Sequence, residues 1–182
     1  MFFPHAAGVA NSSNLYVWDS ETDPSAGMVR LVLGLGTRAV DRVHQDYARI
    51  VALDVPTRKA LVDPGDEARW SQHYVDVLHL IEGDHRTVYY QTLRGLRVGG
   101  RRPRRQPVVL DFGGLLRDDF PGYLRTMLRA LEEAYAYPVD VEFTLNVTEE
   151  GAWRMSLVQC RPLQTRGLGA AVAMPESDDP KD

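Results

Sequence analysis

Between Val139 and Val147 the chain alternates without a break: Val139, Val141, Phe143, Leu145 and Val147 are apolar, while Asp140, Glu142, Thr144 and Asn146 are polar. A period of two sends successive side chains to opposite faces, so this segment fits a strand with one face on a core and fits no helix. A second strand-forming stretch, residues 153–160, follows across residues 146–152, which contain the turn signal Glu150-Gly151. The two are expected to form a C-terminal β-hairpin over about residues 139–161.

Register then decides what the hairpin can do. If the turn centres between Glu150 and Gly151, Glu142 lies opposite Gln159 and Asp140 opposite Arg161, and all four project from one face. Val141, Phe143, Leu145, Val147, Val158 and Cys160 then take the other face. Carboxylate and amide oxygens are hard ligands suited to Mg²⁺, and a guanidinium can grip a phosphate through two parallel N–H bonds. Phosphoryl transfer needs that combination of metal and cation. The same four residues also allow a plainer arrangement, a cross-strand ion pair between Asp140 and Arg161 beside a solvated Glu142. Spacing leaves both open.

The rest of the chain reads as α+β with a mostly antiparallel sheet and one long helix. Residues 6–18 are small or polar, with Asn11, Ser12, Ser13 and Asn14, and suit a strand edge or a loop. Met28-Val29-Arg30-Leu31-Val32-Leu33 reads as a buried strand that delivers the chain into Gly34-Leu35-Gly36-Thr37-Arg38. In residues 39–54, Val40, Val43, Tyr47 and Ile50 suit a helix, whereas residues 49–53 suit a strand equally well. A turn is expected at residues 63–66, strands at 73–81 and 87–93, an arginine-bearing loop at 99–106 and a new strand from Val108. The long helix is predicted over about residues 119–136, capped by Asp118 or Asp119, with Pro121 in its first turn. Its apolar stripe is Phe120, Leu124, Met127, Leu128, Leu131 and Tyr135.

A chain of 182 residues can bury roughly 70% of its unfolded surface in one core. Its 44% hydrophobic and 25% charged residues are those of a globular chain rather than a disordered or fibrous one. No apolar run reaches the length that crosses a bilayer, and no basic leader precedes an apolar stretch, so neither a membrane anchor nor a signal peptide is expected. The net charge of -4 offers no general attraction to nucleic acid. A single cysteine, Cys160, excludes an internal disulfide and makes a cytoplasmic setting the simplest expectation.

Asp140-Val-Glu142-Phe, followed by Leu157-Val-Gln159-Cys-Arg161-Pro162, resembles the closing segment of the ATP-grasp domain of phosphoenolpyruvate synthases and pyruvate phosphate dikinases, the pyruvate phosphate dikinase N-terminal domain. Ala7-Gly-Val-Ala10 with Ser12, Gly34-Leu-Gly-Thr-Arg-Ala-Val-Asp41, and Leu131-Glu-Glu-Ala-Tyr135 before Pro138 resemble further blocks of that domain in the same order, over about residues 7–165. The resemblance implies a partial ATP-grasp nucleotide-binding domain over residues 1–166 and an acidic, disordered tail over 167–182. It implies ATP as substrate and Mg²⁺ as cofactor, with Glu142 and Gln159 as metal ligands, Asp140 supporting them and Arg161 as the catalytic contact to the terminal phosphate. Gly34 and Gly36 would lie beside the nucleotide.

The departures are specific. The family's first subdomain, with a lysine and an arginine that grip ATP, has no counterpart in this sequence, so a separate chain supplying it is an expected partner and the chain alone is expected to be inactive. Asn11 stands where many members carry an aromatic residue, and Ser13 where many carry arginine. A non-catalytic module of the same fold is the alternative. Gly34-Leu-Gly36-Thr-Arg-Ala39 also satisfies a degenerate dinucleotide pattern, with Asp54 about twenty residues on, which keeps a dinucleotide-binding reading in view. His44, His73, His79 and His85 show no metal spacing. The arginines at 101, 102, 104 and 105 lack interleaved aromatics and read as a solvated loop rather than a nucleic-acid site.

Overall fold

The structure, a computed structural model, describes residues 2–17, 20–41, 43, 46–58, 69–90, 92–93, 110–148 and 152–164. The expected turn at 63–66, the arginine loop, the start of a strand at Val108 and the acidic tail fall outside the described residues. Seven strands run β1 (Ala6–Asn11), β2 (Met28–Val32), β3 (Arg49–Ala52), β4 (Tyr74–His79), β5 (Asp84–Tyr89), β6 (Val139–Val147) and β7 (Trp153–Pro162). Among the described residues, helices with full bounds are α1 (Thr37–Val40), α2 (Gly113–Arg117) and α3 (Phe120–Tyr135). Five strands form one sheet in the order β3-β2-β1-β6-β7, with every neighbouring pair antiparallel, and β4 and β5 pair separately as a hairpin. The α+β class with a mostly antiparallel sheet is therefore as expected.

Residues 6–11, too featureless for the sequence to place, form the central strand. β1 is buried along its whole length because both its faces are covered, and a strand covered on both faces has no reason to alternate. Its residues are small for the same reason. A Cβ at Gly8 would stand 2.5 Å from the Arg30 carbonyl oxygen and 2.9 Å from the Phe143 ring. Glycine here is a matter of space, since Phe143 lies directly across from it on β6.

One sheet face packs on α2 and α3. Ala10, Val29, Leu31, Val51, Val141, Phe143 and Leu145 meet Leu116, Phe120, Leu124 and Leu128 in one core. The predicted stripe of α3 is the buried one, except that Tyr135 at its end is exposed. Asp119 precedes the helix as expected but does not cap it; its carboxylate accepts instead from the Trp153 indole at 3.1 Å. That bond ties the start of α3 to the start of β7, where Trp153 also packs edge-on to Phe120. The helix stops at Ala136, in the left-handed conformation, immediately before Tyr137-Pro138.

Residues 49–52 form β3, which bears out the strand alternative, while helix is confined to the single turn α1. Because β3 runs antiparallel to β2, β2-α1-β3 is not the parallel crossover that dinucleotide binding requires, contrary to the dinucleotide pattern at Gly34–Ala39. The predicted strand at 87–93 instead runs from Asp84 to Tyr89, paired through a tight turn at Gly83.

The β4–β5 hairpin docks on the end of β2. The Gln72 amide accepts from Leu33 N–H and donates to its carbonyl, both at 2.8 Å, while Leu35 N–H donates to the Asp76 carbonyl at 3.1 Å. A Cβ on Gly34, which has φ +103°, would strike that same Asp76 carbonyl at 2.7 Å. Beside this seam, Arg38 pairs with Asp46 at 2.6 Å and with Asp76 at 3.2 Å, and Asp76 also accepts from the Thr37 and Thr87 hydroxyls. Burial is the strongest single influence on Asp76 and pushes its carboxyl up. The two hydroxyls and the Arg38 guanidinium together outweigh it and hold the group below its ordinary value of 3.8.

Two expectations follow. Gly8→Ala should lower unfolding stability by about 1–3 kcal/mol through overpacking, read from the urea midpoint at unchanged slope. A carboxyl lowered by folding stabilises the protein above its unfolded value and loses that contribution as pH falls through the folded one. Stability measured by urea titration should accordingly fall below about pH 4 through Asp76. Asp76→Asn should be less stable at neutral pH and show a flatter acid limb.

Candidate functional site

β6 and β7 pair in two registers. Asp140 faces Arg161 and Glu142 faces Gln159, as expected, but from Phe143–Leu157 to Val147–Trp153 the partners are offset by one residue. A bulge between Glu142 and Phe143 makes the change. Its effect is to reverse the phase of β7. Trp153 and Met155 pack on the α3 core, yet Gln159 and Arg161, of the same parity in sequence, stand on the opposite sheet face. Val158, expected on the apolar face, is instead 62% exposed because it is the extra residue at the bulge. Cys160 keeps its expected place against the core. The Tyr135 hydroxyl bonds to Cys160, and this contact raises the Tyr135 pKa.

The four residues named from the sequence therefore share a face, and they belong to longer rows. Ile50, Arg30, Val9, Glu142 and Gln159 form one transverse row across all five strands. Ala52, Met28, Asn11, Asp140 and Arg161 form the next. Rows two residues apart lie about 7 Å from each other, and five strands span roughly 19 Å.

Arg161 links the two carboxylates. Its Nη2 donates to Asp140 Oδ2 at 3.3 Å and lies 3.9 Å from Glu142 Oε1. The plainer ion pair is thus present, but it does not exhaust the set. Asp140 is only 9% exposed, and its Oδ1 is buried with no hydrogen-bond partner. Glu142 is half-buried, Gln159 exposed, and the Arg161 side chain about half exposed, so an amide oxygen, a carboxylate and guanidinium donors are open to a ligand. These groups fit a hard divalent cation held beside phosphate: oxygen donors in adjacent positions, with a neighbouring arginine whose charge offsets that of a phosphate.

On the same face, over β2 and β3, a cleft of about 550 Å³ is lined by Tyr16, Arg30, Arg38, Val43, Tyr47 and Ile50 among others. Arg30 and Ile50 belong to the row that ends in Glu142 and Gln159, so the cleft and the polar set share a face with Val9 of β1 between them. No sequence pattern marks this cleft, since its walls come from three separate segments. Gly34 and Gly36 stand at the entry to α1; each has positive φ, and Gly36 is the residue before the helix. Gly34 already has a reason to be glycine in its contact with β4.

A second polar group escaped the spacing argument. His79, Glu82 and Asp84, at the β4–β5 turn, bring one ligand atom each within 4.8 Å of one another. Arg86 already pairs with both carboxylates, which offsets their charge. His73 lies 3.7 Å from Asp46, and His85 lies 3.8 Å from Asp76, so both act as neighbours of the Arg38 network.

A search of curated proteins finds no match to this chain. The sequence profile of one family, described as the pyruvate phosphate dikinase AMP/ATP-binding domain, matches residues 1–182. With that match over its whole length, the chain belongs to the pyruvate phosphate dikinase AMP/ATP-binding domain family.

Proposed function

We propose that this chain is the Mg-ATP-binding part of an ATP-dependent phosphotransferase of the phosphoenolpyruvate synthase type, a partial ATP-grasp domain over residues 1–166 that acts in the cytoplasm. The observation that carries the reading is the phase reversal in β7. It sets Gln159 opposite Glu142 and Arg161 opposite Asp140 on the sheet face that carries the cleft. Family membership supplies the nucleotide.

In this reading the nucleoside lies in the cleft over β2 and β3, and the phosphates extend along the Arg30–Val9–Glu142–Gln159 row. Two strand spacings, about 10 Å, separate Arg30 from Glu142, a distance on the scale of a triphosphate. Glu142 and Gln159 would hold Mg²⁺, which when bound offsets phosphate charge and polarises the transferred group. Asp140 holds Arg161 in place through Oδ2. Arg161 keeps donors toward solvent with which to bind the terminal phosphate bidentately, and its charge opposes the charge that develops during transfer. Gly34 and Gly36 let backbone approach the nucleotide at the mouth of α1.

The exposure of Gln159 and Arg161 supports the need for a second wall. A separate chain bearing a nucleotide-gripping lysine and arginine would supply it, and the chain alone would then bind weakly and transfer nothing. The same exposure also favours a non-catalytic module of this fold as the second reading.

Isothermal titration with Mg-ATP separates the two. Binding is expected to be weak for the chain alone and at least tenfold tighter, ~1.4 kcal/mol, once a chain carrying the missing wall is added. Glu142→Gln should cost at least tenfold in affinity for Mg-ATP, and Arg161→Ala should lose more for ATP than for ADP. Heat release absent in both settings would leave the non-catalytic module standing.

A further inference from the structure

The tip of the β4–β5 hairpin carries a group that neither the nucleotide reading nor the Arg38 network uses. His79 and Asp84 are the last facing pair of the two strands, and Glu82 stands in the turn between them. Gly83, with φ +69°, closes that turn by donating its N–H to the His79 carbonyl at 2.7 Å. The turn brings one imidazole nitrogen and two carboxylate oxygens within 4.8 Å of one another.

The apolar pattern of β4, rather than the charge of its neighbours, places His79. Val75, Val77 and His79 alternate onto one face, and both valines are fully buried, so the imidazole continues an inward row and its side chain is only 20% exposed. Its Nδ1 is shielded from solvent and, among the described residues, has no hydrogen-bond partner. That nitrogen lies 3.8 Å from Glu82 Oε2 and 3.9 Å from Asp84 Oδ1, too far for a hydrogen bond to either. Two ligand atoms that share a tetrahedral metal, each about 2.1 Å from it, stand about 3.4 Å apart. A small inward movement of the two exposed carboxylates reaches that spacing.

Arg86 holds the carboxylates meanwhile. Asp84 divides its oxygens: Oδ2 accepts from Arg86 Nε at 2.9 Å, while Oδ1 lies toward His79. Arg86 Nη2 also donates to Glu82 Oε2, the oxygen on the His79 side. One guanidinium against two carboxylates leaves a negative charge in excess beside a neutral imidazole. Arg86 thus orients the oxygens and competes for one of them.

We propose that His79, Glu82 and Asp84 form a site for a divalent transition ion of the Zn²⁺ type. One imidazole with two carboxylates is a donor set that suits Zn²⁺, whereas Mg²⁺ is held by oxygen alone. The ion would give the buried Nδ1 the partner it lacks and clip the turn that joins β4 to β5. Three protein ligands leave a position open to water. The site lies on a different sheet from Glu142 and Gln159, and the inference does not rest on the nucleotide reading.

Zn²⁺ titrated into the 182-residue chain without nucleotide tests this, followed by calorimetry, by melting temperature and by the nitrogen resonances of the histidine rings. The native chain should bind Zn²⁺, shift the His79 ring resonances and melt higher in its presence. His79→Gln and Asp84→Asn should each fold and lose at least tenfold in Zn²⁺ affinity, whereas Glu142→Gln should leave the His79 response unchanged. With the competing guanidinium gone, Arg86→Met should bind Zn²⁺ at least threefold tighter and regain with metal the melting temperature it loses without it. An ion-paired turn and nothing more would instead show Arg86→Met melting lower with no gain in Zn²⁺ affinity, and that result would overturn the proposal. So would Zn²⁺ binding that survives His79→Gln or leaves the His79 resonances unmoved, and so would no binding by the native chain.

Discussion

Strand β1 is hydrogen-bonded on both sides and covered on both faces, and everything else in the main sheet is placed by that fact. Because it is central, β6 can pair with it on one side and β2 on the other, bringing residues from opposite ends of the chain into the same rows. Because it is covered, it must be narrow. On one face Ala6, Gly8 and Ala10 leave room for Phe143 and for the Leu124–Leu128 edge of α3. A larger residue at Gly8 would lift β6, and with it Asp140 and Glu142, away from β1.

The two faces are stabilised in different ways. The α3 side is a packed apolar core in which Phe120 touches both Phe143 and Trp153, so one ring joins helix, β6 and β7. Among the described residues, the other side has a small apolar cluster around Ala7, Val9, Val32 and Ala39. Polar groups take over beyond it: the Arg38–Asp46–Asp76 network at one margin and the Asp140–Arg161–Glu142 set at the other. A lightly packed, polar-edged face is where a charged ligand can bind without displacing core, and the cleft lies on it.

How much of this could be read from the chain depended on the origin of each signal. β6 and α3 were legible because their apolar periods are long and each buries one face. The pairs Asp140–Arg161 and Glu142–Gln159 were legible from position alone. β1 was not, since a strand buried on both sides carries no alternation, and its six small residues resemble a loop. Nor was the cleft, whose walls are assembled from segments that periodicity treats separately. Tyr135 and Val158 were misplaced for local reasons: one closes a helix end onto Cys160, the other occupies a bulge. His79 with Glu82 and Asp84 is a grouping made by a turn, which the spacing of the histidines does not announce.

The bulge in β7 divides that strand into two halves of opposite phase. The half from Trp153 to Leu157 answers to the core: its side chains are constrained in volume by Phe120, Tyr123 and Phe143. In the half from Gln159 to Pro162 the alternation is reversed: Cys160 still meets the core, while Gln159 and Arg161 stand on the opposite face and are exposed. In a strand of uniform phase, Gln159 and Arg161 would point with Trp153 and Met155 toward the helix. One extra residue frees them from that volume, so their length and charge can vary while Trp153 and Met155 stay packed as they are.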